Sequence, residues 1–149
     1  VFRILGWKKN PNPQNVGGYL LSNDLSSCPI FVNYQKPDDI ADSIKYEDRF
    51  VSPDRFVYMS KNRRTMSSPD VSTMGNQENN GIRLPLFIKK SNDEGLDFYF
   101  IGDLYVISGS FAQETMKVVD ETDVSVVKME FMLDKSVEPG LYEYITETI

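Results

Sequence analysis

Histidine is absent from this chain of 149 residues, and cysteine occurs only once, at Cys28. Without histidine, neither a Ser-His nor a Cys-His nucleophilic pair can form within the chain. A single cysteine and no histidine also leave too few ligands for a typical zinc site. The lone cysteine excludes an internal disulfide and favours a reducing compartment, so we expect a cytoplasmic protein.

Long apolar segments and nucleotide-binding loops are lacking as well. No apolar run approaches the ~20 residues that a membrane-spanning helix needs, and no signal-peptide pattern opens the chain. No Gly-Lys-Ser or Gly-Lys-Thr phosphate loop occurs. We therefore expect no cofactor, no membrane contact and no small-molecule substrate. The opening Val-Phe-Arg-Ile-Leu-Gly is typical of mid-protein sequence, and residues 1–149 are predicted to be one domain excised from a longer polypeptide.

The residues that are present favour β structure. Aromatic residues make up 12% of the sequence, a share that suits pleated strands. The clearest alternation lies in residues 124–133, where the apolar side chains from Val127 to Leu133 share one face and Lys128 and Glu130 the other. Further strands are predicted over residues 19–21, 29–35, 55–60, 82–89, 98–101 and 104–107, and short helices over 37–42, 67–74 and 138–145. We expect a mainly β (α+β) fold, either a curved antiparallel sheet or a partly open barrel.

Two local features refine this expectation. Residues 75–81 are polar and rich in asparagine, which predicts a mobile loop. Pro85 interrupts its strand, and proline favours an edge strand or a β-bulge.

Charge is distributed unevenly along the chain. The net charge of −6 argues against a dedicated non-specific nucleic-acid binder. Residues 44–66, however, carry six basic against three acidic residues, so 6 − 3 = +3. Residues 112–149 carry three lysines against nine acidic residues, so 3 − 9 = −6. Such polarity lets one face meet phosphates while the other repels them, although charge clusters on a solvated surface also arise without a function.

The positive segment is aromatic as well as basic. Guanidinium groups hold phosphates, and aromatic faces stack on bases. The segment is predicted to form a first strand, a turn at Ser52-Pro53 and a second strand that ends in a cluster of polar and basic residues. The candidate nucleic-acid-binding residues are Tyr46, Tyr58, Ser60, Lys61, Asn62, Arg63, Arg64 and Thr65.

These candidates also have structural alternatives. One of the two adjacent arginines could pair with Glu47 or Asp48 and stabilise the fold, while the other contacts a phosphate. Tyr46 and Tyr58 could fill the core, as aromatic residues in strands usually do. The chain could also be an interaction scaffold that docks onto other domains or builds an oligomer through its acidic C-terminal third and exposed aromatic residues.

A metal-dependent nuclease is a further possibility. Catalytic metals are held by carboxylates that converge at strand ends, often near a lysine. Glu47-Asp48 and the Lys128/Glu130 pair are the candidates for such a site.

Five segments carry a resemblance to a known family. They are Pro29-Ile-Phe-Val-Asn-Tyr-Gln-Lys36, Tyr46-Glu-Asp-Arg-Phe50, Phe56-Val-Tyr-Met-Ser-Lys-Asn-Arg-Arg-Thr-Met-Ser-Ser68, Leu86-Phe-Ile-Lys-Lys90 and Phe98-Tyr-Phe-Ile-Gly102. In these segments the chain resembles the uncharacterised C-terminal domain of bacterial DEAD/DEAH-type helicases, many of which also carry a phospholipase-D-like nuclease domain. The resemblance implies a setting in a DNA-processing or defence enzyme, with helicase and nuclease domains upstream in the same polypeptide and with DNA, altered or unaltered, as the partner. Together with the basic-aromatic segment, this setting predicts a non-catalytic accessory domain that binds DNA, including modified or structured DNA. In the alternative role of an interaction scaffold, the chain would dock onto the helicase or nuclease domains. Residues 99–106 are loosely similar to the strand pair of modified-base readers of the SRA and PUA-like type.

Overall fold

A curled, open sheet organises the structure. The computed structural model describes residues 18–22, 24–34, 48–61, 63–89, 98–117 and 123–146. In these ranges the strands are β1 (Ile30–Asn33), β2 (Arg49–Ser52), β3 (Arg55–Met59), β4 (Pro85–Lys89), β5 (Tyr99–Val106), β6 (Ala112–Lys117) and β7 (Asp123–Leu133). The helices are α1 (Pro69–Gly75), α2 (Gln77–Asn80) and α3 (Pro139–Thr146). The strands form a half-barrel, which confirms the predicted mainly β fold with a curved sheet and a few short helices.

Strand β7 is the centre of the sheet. The strand order is β1-β4-β5-β7-β3-β2, and β6 also pairs with β7. Only β1 and β4 are parallel among these pairs. Met59 of β3 and Ala112 of β6 both pair with Lys128, so β3 and β6 lie on opposite edges of β7. Val106 of β5 and Phe56 of β3 both pair with Phe131, so β5 and β6 lie end to end along the same edge.

The alternation predicted in β7 is confirmed. Val127, Met129 and Phe131 are completely buried, and Leu133 is nearly so, whereas Lys128 and Glu130 on the other face are partly exposed. The buried face packs into the core with the inner side chains of the neighbouring strands. An alternating strand buries one face and leaves the other partly in water, as the sequence requires.

The hairpin of β2 and β3 forms as predicted. Its turn lies at residues 53–54, where the Ser52 hydroxyl donates a 2.7 Å hydrogen bond to the Asp54 carboxylate. Phe50 pairs with Phe56 across the ladder, and their rings meet edge to face. Local turn chemistry and one aromatic pair therefore set the register of this hairpin.

Helix α1 begins close to its predicted position, but its first turn is built differently. Pro69 occupies the first turn, where the missing amide proton costs nothing. Ser68 does not cap the helix with its side chain. Instead, the Ser68 hydroxyl accepts a 2.9 Å hydrogen bond from the amide of Thr65 and stabilises the preceding turn.

Several sequence predictions are wrong. Residues 77–80 are not a loop but helix α2, whose Gln77 side chain is buried. Residues 99–106 form one continuous strand rather than two strands separated at Gly102. Of the two alternatives predicted for Pro85, an edge strand or a β-bulge, the second agrees with the structure: the strand is buried between two neighbours, and its register shifts between Leu86 and Phe87.

Other predictions differ in detail or lie outside the described ranges. In place of a strand over residues 19–21, the structure has a single bridge between Tyr19 and Ile30. Strand β6 is not among the strands that the sequence predicts. The proposed helical turn at residues 37–42 lies outside the described ranges. No helix within those ranges is long and apolar enough to cross a membrane.

Candidate functional site

The segment that follows β3 runs beside β7 and carries the basic residues. The amide of Ser60 donates to the carbonyl of Val127, and the amide of Arg63 donates to the carbonyl of Ser125, at 2.9 and 2.7 Å. Arg63 has a positive φ of 63°, a backbone conformation that is uncommon for residues other than glycine. These two hydrogen bonds hold the backbone of the segment in place, so its side chains leave it in defined directions.

Two candidate residues lie in the core rather than on the surface. Tyr58 is 3% exposed and packs in the aromatic core beside Phe56, so its ring cannot stack on a base. Ser60 is 7% exposed. Its hydroxyl donates to the carbonyl of Lys61 and accepts from the amide of Val127. We therefore correct both assignments: Tyr58 lies on the face of β3 that packs into the core, and Ser60 joins its segment to β7.

Arg64 is held by a three-residue network. Its Nε donates to the Asp70 carboxylate at 2.8 Å, and the hydroxyl of buried Tyr19 donates to the same Asp70 oxygen at 2.5 Å. The Tyr19 hydroxyl also accepts a 3.3 Å hydrogen bond from the amide of Lys61. This network joins residues 18–22, the segment after β3 and the first turn of α1.

The network shifts the ionisation of its members. Burial acts to raise the pKa of Asp70, but hydrogen bonds from Tyr19 and Arg64 outweigh it and lower that pKa below its ordinary value. The hydrogen bond to Asp70 raises the pKa of Arg64. Burial, followed by the hydrogen bond to Asp70, raises the pKa of Tyr19. At neutral pH the network therefore consists of a neutral phenol, a carboxylate and a guanidinium.

Lys61 and Arg63 lie at a shallow hollow of about 450 Å³. The Lys61 ammonium lies 4.6 Å from the centre of the Tyr19 ring, a cation–π contact. Arg63 is exposed, and its side chain has no partner among the described residues. Arg64 and Asp70 line the same hollow. The hollow thus offers an ammonium and a guanidinium to a ligand, while Arg64 is already paired with Asp70.

Thr65 lies at the edge of this segment and is partly exposed. Its hydroxyl lies 3.1 Å from that of Ser67, and its amide donates to Ser68. The remaining candidates, Tyr46 and Asn62, lie outside the described residues.

As the structural alternative predicts, one of the two arginines pairs with a carboxylate and stabilises the fold, but the carboxylate is a different one. The sequence suggested Glu47 or Asp48, whereas the structure pairs Arg64 with Asp70. Asp48 accepts a 3.1 Å hydrogen bond from the amide of Met59 and so stabilises the end of the hairpin. Glu47 lies outside the described residues. Sequence reasoning missed Asp70 and Tyr19, because 51 positions separate them and no pattern connects them.

The structure provides little support for metal or thiol chemistry in the ranges it describes. There, no three His, Cys, Asp or Glu residues come together as metal ligands. Lys128 and Glu130 occupy outward positions of β7. Burial raises the pKa of Cys28 to about 12, so this thiol remains protonated at neutral pH.

The Asp70 network leads to a prediction about pH. We expect Asp70→Asn to lower the free energy of unfolding by about 1 kcal/mol at neutral pH, the usual size of a partly exposed charged hydrogen bond. Because the pKa of Asp70 is lowered in the folded state, its contribution is present above the unfolded value of about 4. It is lost as pH falls through the lower folded value. As the pH falls below about 4, the free energy of unfolding should therefore decrease less for the variant than for the wild type.

Urea unfolding between about pH 2 and 7 measures this difference, with exposed Glu114→Gln as the control. If Asp70→Asn and the wild type show the same pH profile, the proposed stabilising role of the Asp70 carboxylate is wrong.

Comparison with known proteins identifies a family. A family model described as a domain of unknown function, DUF3427, matches residues 1–145. No curated protein matches the chain.

Proposed function

We propose that this chain, which belongs to the DUF3427 family, is a non-catalytic module that binds DNA through the phosphate backbone. The observation that carries the proposal is the exposed guanidinium of Arg63, unpaired within the described ranges, beside the Lys61 ammonium at the 450 Å³ hollow. Arginine and lysine provide charged donors that suit phosphate oxygens.

The two adjacent arginines differ in their surroundings. Arg64 directs its Nε to Asp70 and contributes to the fold, whereas the exposed Arg63 side chain has no described partner. The hydrogen bond from the Arg63 amide to Ser125 fixes the backbone from which this side chain leaves. A fixed backbone reduces the conformational entropy that binding would otherwise cost.

The aromatic residues of the basic segment limit what this surface can recognise. Tyr58, Phe56 and Phe50 are buried in the core, and the Tyr19 ring is covered by Lys61. Among the described residues, the hollow therefore presents charge rather than an open aromatic face. The proposal accordingly rests on phosphate contacts, which set position and affinity more than sequence preference.

The cellular setting follows from the family resemblance of the five sequence segments. We propose that the chain is an accessory part of a bacterial helicase-nuclease and positions DNA for those upstream domains. In this setting, weak and sequence-independent binding to the phosphate backbone of DNA suffices, because the helicase domain provides further contacts with the DNA.

The central test is a salt-dependent DNA-binding measurement. We expect Arg63→Ala to weaken binding of a labelled duplex about tenfold at low salt, since a charge-assisted hydrogen bond contributes about 1.5–3 kcal/mol. The slope of log affinity against log salt should fall by about 0.9 for each phosphate that the variant no longer neutralises. Fluorescence anisotropy at several salt concentrations gives both values.

A matched control is available at the other end of β3. Arg55 is an exposed arginine at the opposite end of β3, so Arg55→Ala removes the same charge away from the hollow. We expect this variant to bind DNA like the wild type. The proposal is wrong if the wild type does not bind, or if Arg63→Ala leaves affinity and salt slope unchanged.

A further inference from the structure

A side chain, rather than a strand, completes the edge of the sheet beside the end of β5. The amide of Leu104 donates to the carbonyl of Leu84, which marks the last backbone hydrogen bond on that side among the described residues. Beyond it, the Gln77 amide group donates to the carbonyl of Leu104 at 2.9 Å and accepts from the amide of Val106 at 2.8 Å. Gln77 therefore satisfies the backbone groups that a neighbouring strand would otherwise pair.

Strand β6 continues this edge, and no described residue covers it in the way that Gln77 covers β5. It lies in line with β5 on the same edge of β7, and within the described ranges only β7 pairs with it. The side chains of residues 112–115 are exposed, and the six-residue strand contains no proline. An open edge of this kind presents unpaired backbone donors and acceptors that can accept a further strand.

A groove lies between the helices and the connection that leads into β6. Its volume is about 810 Å³, and its apolar walls include Met66, Val71, Tyr105 and Phe111. Tyr105 is 50% exposed and Met66 45%, so both present apolar surface to solvent. Because Phe111 immediately precedes β6, the groove opens at the start of the uncovered edge.

The floor and walls of the groove are held in place. Gln77 at its base makes three hydrogen bonds to the backbone, the third to the carbonyl of Ile82. In the connection, Ile107 donates its amide to the carbonyl of Glu130, and the Ser110 hydroxyl donates to the same carbonyl. The two walls approach each other at Gly75, where a Cβ would lie 3.4 Å from the Phe111 ring.

We propose that β6 and this groove together form a docking site for an extended peptide segment of a partner protein. The segment adds a strand to the outer edge of β6 and places one large aromatic or aliphatic side chain in the groove. Strand addition of this type gains affinity from backbone hydrogen bonds and specificity from a pocket for an alternate side chain.

The charge of the site selects the type of peptide. Among the described residues, Glu78 is the only charged residue that lines the groove, and Glu114 is exposed on β6, whereas the lysine of that strand, Lys117, lies at the end away from the groove. These carboxylates repel nucleic acid and acidic peptides, and they favour lysine or arginine next to the apolar anchor. The groove shares no lining residue with the basic hollow, so the two are separate sites.

Selection from a phage-displayed library of random dodecapeptides on the 149-residue chain tests this proposal. We expect enriched peptides to contain an aromatic or large aliphatic residue with neighbouring basic residues and few acidic ones. Tyr105→Ala should weaken the best synthetic peptide at least tenfold, while Tyr99→Ala, an exposed tyrosine of β5 outside the groove, should not. Two N-methylated versions of the peptide test the strand pairing, one methylated at the odd-numbered and the other at the even-numbered backbone nitrogens. We expect one of the two to bind tenfold more weakly, because only alternate amides of an added strand face β6.

Several results would overturn the proposal. They are the absence of enrichment, equal binding to the wild type and to a folded Tyr105→Ala variant, or insensitivity to backbone methylation in both registers. Displacement of the peptide by duplex DNA would assign both ligands to one surface and would contradict a separate site. A stable dimer that excludes the peptide would show that a second copy of the chain occupies the edge. Circular dichroism and thermal melting establish that each variant is folded.

Discussion

We expect Gln77→Leu to lower the free energy of unfolding by about 3 kcal/mol, because it leaves two buried backbone carbonyls and one partly buried amide without a partner. These groups are the carbonyls of Ile82 and Leu104 and the amide of Val106. Leucine has a similar size but cannot hydrogen-bond, so the change isolates the polar role of Gln77. For a chain of this length, the midpoint of thermal melting should fall by about 6–12 °C.

A control in the same helix separates this effect from helix propensity. Asn79 is exposed in α2, and its side chain hydrogen-bonds at 2.6 Å to Asn76, which is exposed too. Asn79→Leu should change stability by less than about 0.5 kcal/mol, as surface substitutions usually do. Urea unfolding of both variants provides the comparison. Equal losses would mean that Gln77 contributes no more than any other residue of the helix.

Gly18→Ala should cost about 2–4 kcal/mol, for two separate reasons. Gly18 has a φ of +102°, which side-chain-bearing residues rarely adopt, and a Cβ would lie 2.8 Å from the buried hydroxyl oxygen of Tyr58. The Gly18 carbonyl accepts a hydrogen bond from the amide of Phe31, so the backbone cannot easily move away. Stability is measured by urea unfolding.

Two further variants separate the backbone cost from the steric cost. Gly109 also has a positive φ, of +77°, but a Cβ there would meet nothing within 4 Å. Gly109→Ala should therefore show the backbone cost alone, about 1 kcal/mol. Tyr58→Phe removes the clashing oxygen and should recover part of the loss in a Gly18→Ala background. Purely additive losses in this double-mutant cycle would contradict the close approach of the Cβ to the Tyr58 oxygen.

Features governed by neighbouring residues in the sequence were predictable. The alternation in β7 identified its buried face, and the turn at Ser52-Pro53 identified the hairpin. Both depend on a few consecutive positions, since side-chain period and turn chemistry act over short distances. The mainly β class followed from the same local patterns. The basic cluster follows β3 directly, as in the predicted strand order, although its members divide between surface and core.

Features that depend on distant contacts were not predictable. The alternation placed Phe56 and Tyr58 on the same face of β3, but only packing shows that this face is the inner one. Gln77 looked like a loop residue, because its partners in β5 lie 27 or more positions away. Strand β6 is polar and lacks hydrophobic alternation, so its sequence does not indicate a strand. It is a strand because it pairs with β7.

The central position of β7 has a consequence for the order in which the chain acquires structure. Among the described residues, the hairpin of β2 and β3 and the group of β1, β4 and β5 are joined within the sheet only through β7, which ends at Leu133. During synthesis the edges of β3 and β5 that pair with β7 therefore stay unpaired until nearly the whole described chain has left the ribosome. Open strand edges are prone to mispairing in this interval. Pairing between strands that are distant in the sequence also makes folding slow. The risk of mispairing is therefore greatest before β7 has emerged.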